Sequence, residues 1–387
     1  MLSARPRWSE AHLALAADLV PHVEHWPRVI NTAHEKFVLQ MVYGNLARLT
    51  DPAPPEAVLT RLHDISLHET FSALRRHSAF DWLHSTCVLR SGVDYAYLKG
   101  PAFAARFYPD PMQRTFRDID ILVPAHQRRD LVQIMLAKGC RAFTGRDLAF
   151  RYLDFAGGDD LTDFLSLHRV TNLLTPQGLV VEVHKEIDNH TSLFPTDILL
   201  REAGEIALRQ HRLKVLSDLD HVVFACYHHT RHFWSKLHWL ADIDAGLAKL
   251  GGDDAALLAH ADSLGLKSTV SAVLELHHLA SAARHPSDFD HPAPGIDLLN
   301  ACVHNLQGGR EIEVQLRQGQ RMGVLGFDWQ TTRLSVLDRA RLGLRKLAPE
   351  YEDCLKLRWA GILRYPFASA LKISRALRRR TADLMRL

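Results

Sequence analysis

Cysteine is scarce and scattered in this chain. The five thiols, Cys87, Cys140, Cys226, Cys302 and Cys354, lie far apart and form no CxxC pair. That pattern argues against a disulfide framework or a zinc module and fits reduced thiols in a cytoplasmic protein. Long apolar runs are missing too: no stretch of about 18 uncharged apolar residues occurs, so no transmembrane segment is expected. The opening MLSARPRWSEAHLALAADLV lacks a continuous apolar core and a small-residue cleavage site, so no signal peptide is read there. An excess of one charge is also lacking. The 47 Lys and Arg against 44 Asp and Glu leave a formal net charge of +3, too mild to argue for a nucleic-acid binder on charge alone. Internal repeats and low-complexity segments are absent.

What is present is an ordinary globular composition. The 387 residues are 47% hydrophobic and 24% charged, enough for two or three packed units with a sizeable core. Histidine is plentiful at 24, but it is spread along the chain, so no single metal tract explains it.

Helical spacing of apolar residues dominates residues 1–90, interrupted by a loop at Asp51–Pro55, with a second long helix expected from Ser66 or Thr70 to about Arg90. From Gly92 the pattern changes. Tyr95–Leu98 reads as a strand ending in Lys99-Gly100, and Pro101 suits the first turn of a helix over Ala102–Tyr108. Phe116–Val123 reads as a strand, and a helix follows from about Gln127 to Lys138. Leu165–Leu174 and Leu179–Ile187 read as two strands joined by the turn Thr175–Gly178. From about Asp197 onward the pattern is helical, with one long helix over Asp220–Leu250. These spacings predict an α+β protein, a small mixed β-sheet core flanked by helical regions. The units are 1–90 (N-terminal helices), 91–200 (the sheet core), 201–284 (helices packed on it), a linker at 285–295 and a basic helical tail at 296–387.

The candidate chemistry lies in carboxylates. Asp118 and Asp120 are spaced i, i+2 on a strand, so both point to one face, about 7 Å apart along the backbone. Ile119, Ile121 and Val123 point to the other. Two acids on an otherwise apolar strand repel unless a cation sits between them. Mg²⁺ takes one or two carboxylates plus substrate phosphates. In Val180–His184, alternation puts Glu182 with His184 and turns Val181 and Val183 to the core. If the two strands are neighbours, three carboxylates converge. Taken alone, each motif also reads as a solvated strand face.

Together the pieces resemble a known family. Tyr97–Val123, YLKGPAFAARFYPDPMQRTFRDIDILV, is similar to the core motif of a bacterial family of uncharacterised nucleotidyltransferases, a divergent branch of the DNA polymerase beta-like superfamily. The motif is a strand ending in Lys-Gly, a Tyr-Pro turn, an arginine and Asp-Ile-Asp on a strand. A Glu-x-His strand follows, and later a helix bearing His228, His229, His238 and Trp239. The likeness spans roughly Tyr97–Leu247. It implies transfer of a nucleoside monophosphate from an NTP to an unknown hydroxyl or phosphate acceptor, with release of pyrophosphate. It implies Asp118, Asp120 and Glu182 as the metal-binding and catalytic acids, Mg²⁺ or Mn²⁺ as cofactor, and Lys99, Gly100, Arg114 and His184 as nucleotide-binding residues. The superfamily carries Gly-Ser where this chain has Lys99-Gly100; a lysine meets phosphate oxygens as a point charge.

Two other readings stand beside it: a toxin-like enzyme that modifies tRNA or protein, and a non-catalytic nucleotide sensor. The acceptor could be a small molecule, a peptide or an RNA. His228, His232 and Trp239 form either a wall for a nucleobase or acceptor, or a packed helix face. Arg117 reads as a surface charge, and the repeat Asp242-Ile243-Asp244 as chance, since its acids diverge on a helix. The basic C-terminal helix reads as solvated, with contact to an anionic membrane surface or acidic partner as the alternative.

Overall fold

The computed structural model describes residues 4–144, 150–155, 158–188, 190, 192–282, 285–308, 326–330, 335–349 and 351–384. It is an α+β protein with one eight-stranded mixed sheet. The strands are β1 (Ala96–Tyr97), β2 (Asp118–Leu122), β3 (Arg141–Thr144), β4 (Arg151–Tyr152), β5 (Val170–Leu174), β6 (Val180–His184), β7 (Gly204–Leu208) and β8 (His211–Val215). Their order across the sheet is β4-β3-β5-β6-β2-β1-β8-β7. Strand β2 therefore sits centrally, parallel to β6 and antiparallel to β1.

Alternation along the strands gives the sheet two cores. Ile119, Ile121, Val123, Val181 and Val183 are sealed on one face. They pack with Phe80 and Leu83 of α4 (Glu56–Leu83), with Leu131 and Met135 of α7 (Arg128–Ala137), and with Phe164 of α8 (Gly158–Leu167). Each such side chain contributes about 1.5–3 kcal/mol by leaving water. The other face carries Leu98 and Leu122, covered by Phe103 and Phe107 of α6 (Pro101–Phe107) and by Val223 and Tyr227 of α10 (Asp218–Arg231). The N-terminal helices, including α3 (Leu39–Leu46), join this second core. Asp118, Asp120, Glu182 and His184 share the parity of Leu122, so they open towards α6 and α10.

Several sequence expectations need correction. The long N-terminal helix begins at Glu56, right after Pro55, which starts it ten residues before Ser66. Residues 165–167 end helix α8, and the strand expected to begin there begins at Val170. The region after Asp197 is not all helical, because β7 and β8 form a hairpin at the sheet edge. Strands β3 and β4 also went unread. The expected helix over Asp220–Leu250 is two helices, α10 and α11 (His238–Lys249). Between them Phe233 and Trp234 take φ of 51° and 54°, a backbone region that bulky residues seldom enter. Trp234 is buried there, and Asn305 donates to the Phe233 carbonyl at 2.7 Å.

Candidate active site

The β2–β6 register brings the acids together. Asp120 stands opposite Glu182, and Leu122 opposite His184. On β5, Asn172 stands opposite Glu182 in turn, completing one polar row across three strands. Asp118 lies two residues earlier on the same side of β2, at the strand's exposed entry.

Asp120 is the centre of the arrangement. It is 1% exposed, and its Oδ1 accepts from Lys99 Nζ at 3.2 Å and from His184 Nε2 at 3.1 Å. His184 Nε2 also lies 3.4 Å from Glu182 Oε2. The second oxygen, Asp120 Oδ2, is buried and has no hydrogen-bond partner among the described residues. A buried carboxylate oxygen left unpaired costs free energy unless a ligand meets it. One donor atom each from Asp120, Glu182 and His184 lie within 4.8 Å of one another, a spread that one cation can bridge.

Charge distribution follows from these contacts. Burial alone would raise the Asp120 carboxyl, but Lys99 and the His184 bond outweigh it and hold the group below the usual range. Water reaches Asp118, yet the crowding of protein around it, and then the charge of Asp120, push its carboxyl up to about 6. Burial would lower both Lys99 and His184; the surrounding carboxylates raise them instead. The site thus sets Lys99 and His184 against its acids and leaves Asp118 with a raised carboxyl.

Gly100 makes the turn between β1 and α6 at φ +62°, and a Cβ there would meet the Asp118 carbonyl at 3.3 Å. Its carbonyl accepts from Arg114 Nη1 at 3.3 Å. The rest of Arg114 does not face the acids. Its Nε and Nη2 grip Asp242 of α11 at 2.7 and 2.9 Å, and both side chains are buried. Tyr108 also donates to Asp242, at 2.7 Å. The three contacts leave Arg114 little to offer a triphosphate. Asp242 and Asp244 do diverge as expected, and each has a task of its own, because Asp244 binds Arg5 and His277.

Beside Lys99 runs a continuous line of rings. Lys99 Nζ lies 5.7 Å from the Phe224 ring, Phe224 touches His228, and His228 meets both His232 (4.5 Å) and Trp239 (5.7 Å). Trp239 stacks on His229 at 4.9 Å and continues through His238 to Phe37. The exposed guanidinium of Arg117 lies on that Phe37 ring. Burial pushes His229 down to about 4 and His238 to about 3, and lowers His228 as well, so these three rings are uncharged at neutral pH. His228, His232 and Trp239 are half-buried, so the wall is open to solvent.

Sequence reading had passed over two neighbours. Arg169 donates to the Glu186 and Ile187 carbonyls at 2.7 Å each and feels the charge of Glu182. Asn172 faces Glu182 across β5; an amide alternating with apolar residues on that strand was its only signal.

Carboxylates on adjacent central strands, one with an unmet buried oxygen, form the kind of donor set that phosphoryl-transfer enzymes use to hold a divalent cation. The chain belongs to a family described as uncharacterised nucleotidyltransferases, whose model matches residues 22–282. No curated protein matches it significantly. Among the described residues no helix is long and apolar enough to cross a membrane.

Proposed function

We propose that the protein moves a nucleoside monophosphate from an NTP to a hydroxyl or phosphate acceptor and releases pyrophosphate, with Mg²⁺ or Mn²⁺ held by Asp118, Asp120 and Glu182. The observation that carries this reading is the buried, unmet Oδ2 of Asp120 in the middle of a charged row. A bound divalent cation supplies charge neutralisation at the transferred phosphoryl group and the leaving pyrophosphate.

The protein's own residues divide the remaining work. Lys99, part-exposed beside Asp120, meets phosphate oxygens as a point charge. Glu182 is 33% exposed against 1% for Asp120, and it takes the proton of an acceptor hydroxyl as the acceptor oxygen attacks phosphorus and pyrophosphate departs. His184 is better read as a positioning residue than as a nucleotide contact, because it bridges Asp120 and Glu182. Gly100 allows the backbone to turn tightly beside Asp118, and Arg114 pins that turn to α11. The ring wall suits stacking of a nucleobase, whose π-face gains about 1–3 kcal/mol on an aromatic side chain.

The test is pyrophosphate release from each NTP with Mg²⁺ and a cell extract as acceptor source, with the labelled product identified. Turnover that Asp120→Asn removes supports the reading. No Mg²⁺-dependent turnover with any NTP overturns it.

A further inference from the structure

Residues beyond 282 lie outside the family match, and they carry a surface that departs from the usual pattern. Soluble helices turn apolar residues inward and charges outward. The segment from Trp359 through the helix Arg364–Leu384 does the reverse. Every exposed residue between 359 and 375 is apolar or glycine. Trp359 is 80% exposed and Ile362 82%, with Leu363, Phe367 and Leu371 continuing the face.

The polar groups of the same helix hold it to the protein. Arg364 pairs with Asp163, which also accepts from the Tyr365 hydroxyl at 3.0 Å. Lys372 donates to the Ala348 carbonyl at 2.8 Å, and Arg375 pairs with Asp353. Ala368, on that inner side, is fully buried. Rows at 364, 368, 372 and 375 therefore face inward, and the 363, 367, 371 row faces out. Apolar surface of this size normally marks a contact.

Charge identifies the occupant. From 354 to 382 the sequence has eight Lys and Arg and no Asp or Glu. A symmetric contact between two copies would oppose two such acid-free segments. Three of the eight, Arg364, Lys372 and Arg375, are engaged inward. The remaining five, among them the exposed Lys356, leave the segment basic. An anionic bilayer therefore offers phosphates to that charge and acyl chains to Trp, Ile, Leu and Phe.

We infer that this C-terminal face docks the protein on the surface of an anionic lipid bilayer, lying in the interface without crossing it. The full chain should sediment with vesicles of phosphatidylcholine containing about 30% phosphatidylglycerol. It should bind pure phosphatidylcholine less, and salt should weaken the anionic binding. Trp359→Ser with Ile362→Ser should lower vesicle affinity about tenfold or more, because two fully exposed anchors are lost. Melting temperature and NTP turnover should stay unchanged, since neither residue touches the core or the acids. Phe367→Ser with Leu371→Ser is the second variant and should behave alike. Failure to bind anionic vesicles, or parent-like binding by both variants, overturns the inference. So does a dimer in sedimentation velocity that these substitutions dissociate, which would assign the face to a second copy.

Discussion

Asp242→Asn should remove a large part of the protein's stability, although the residue lies outside the acidic row. In the parent, Asp242 is 1% exposed and receives Arg114 at 2.7 and 2.9 Å and Tyr108 at 2.7 Å. Asparagine keeps the shape, but one of its two head atoms becomes a donor facing a donor. Arg114, itself 6% exposed, is then a cation without a counter-charge where water scarcely reaches. Breaking one side of a buried pair costs about 3–5 kcal/mol. Domain stabilities run to about 5–15 kcal/mol, so the loss is about a fifth of the total at the least.

Arg114→Met with Asp242→Leu should cost less than Asp242→Asn, because neither partner is left charged. The Tyr108 hydroxyl still loses its acceptor, a residual penalty of about 1–3 kcal/mol. Urea unfolding followed by tryptophan fluorescence, on Asp242→Asn and on the four corners of the Arg114→Met, Asp242→Leu cycle, measures both terms. A loss under about 1 kcal/mol for Asp242→Asn, or additive single effects, would refute the reasoning. The same series decides between two roles for Arg114. A phosphate contact predicts that Arg114→Met raises KM for NTP at parental stability. The geometry here predicts that stability falls first.

Asp120→Asn should cut Mg²⁺-dependent turnover by about 10²–10³-fold or more, read by pyrophosphate release beside a thermal melt; undiminished turnover in a folded variant would remove Asp120 from the site. Glu182→Gln should lower kcat more than it raises KM, and equal effects on both would assign it to binding alone. Gly100→Ala forces an L side chain to φ +62° against the Asp118 carbonyl, so about 1–2 kcal/mol of stability should be lost together with turnover; a parental melt would show that the turn relaxes freely. The His260–Asp220 pair, 2.8 Å apart, should give a window in stability against pH. His260 is raised chiefly by its bond to Asp220, so its contribution is full below about 6.5 and is lost as pH rises through its folded value. Burial would raise Asp220, but His260 and Ser217 outweigh it and lower it. Its contribution is therefore present above about 3.9 and lost as pH falls through its folded value. His260→Gln should flatten the upper limb of the profile; an unchanged limb would show the pair to be inert.

Much of the central sheet was legible because period-2 alternation needs no partner to be seen. Ile119, Ile121 and Val123 against Asp118 and Asp120 declare two faces by themselves, and Val181 and Val183 against Glu182 and His184 do the same. Which strands pair, and in what register, is a tertiary fact, so the Asp120–Glu182 juxtaposition rested on resemblance until the fold was in hand. The β7–β8 hairpin escaped because its turn carries no glycine or asparagine. Arg209 takes φ 53° there instead, so the usual turn chemistry is missing. The α10–α11 break escaped for a related reason: Phe233 and Trp234 adopt positive φ under burial, where sequence rules expect glycine. The Arg114–Asp242 pair was not legible because its partners lie 128 residues apart, the second on a helix whose Asp-Ile-Asp string looked accidental.

The ion pairs also explain how Asp118, Asp120 and Glu182 can share one face of the sheet. Lys99 and His184 both bind the same oxygen of Asp120, and Arg169 feels Glu182, so the most buried acid is compensated. Compensation stops at Asp118, whose carboxyl is raised, and at Asp120 Oδ2, which no described residue meets. A site fully neutralised by its own residues would have no electrostatic reason to take up a cation, and one with no compensation would destabilise the sheet that carries it. This arrangement lies between the two. Lys99 borders Asp120 and the Gly100 turn borders Asp118, so under the proposed reaction a nucleotide's phosphates would lie on that side.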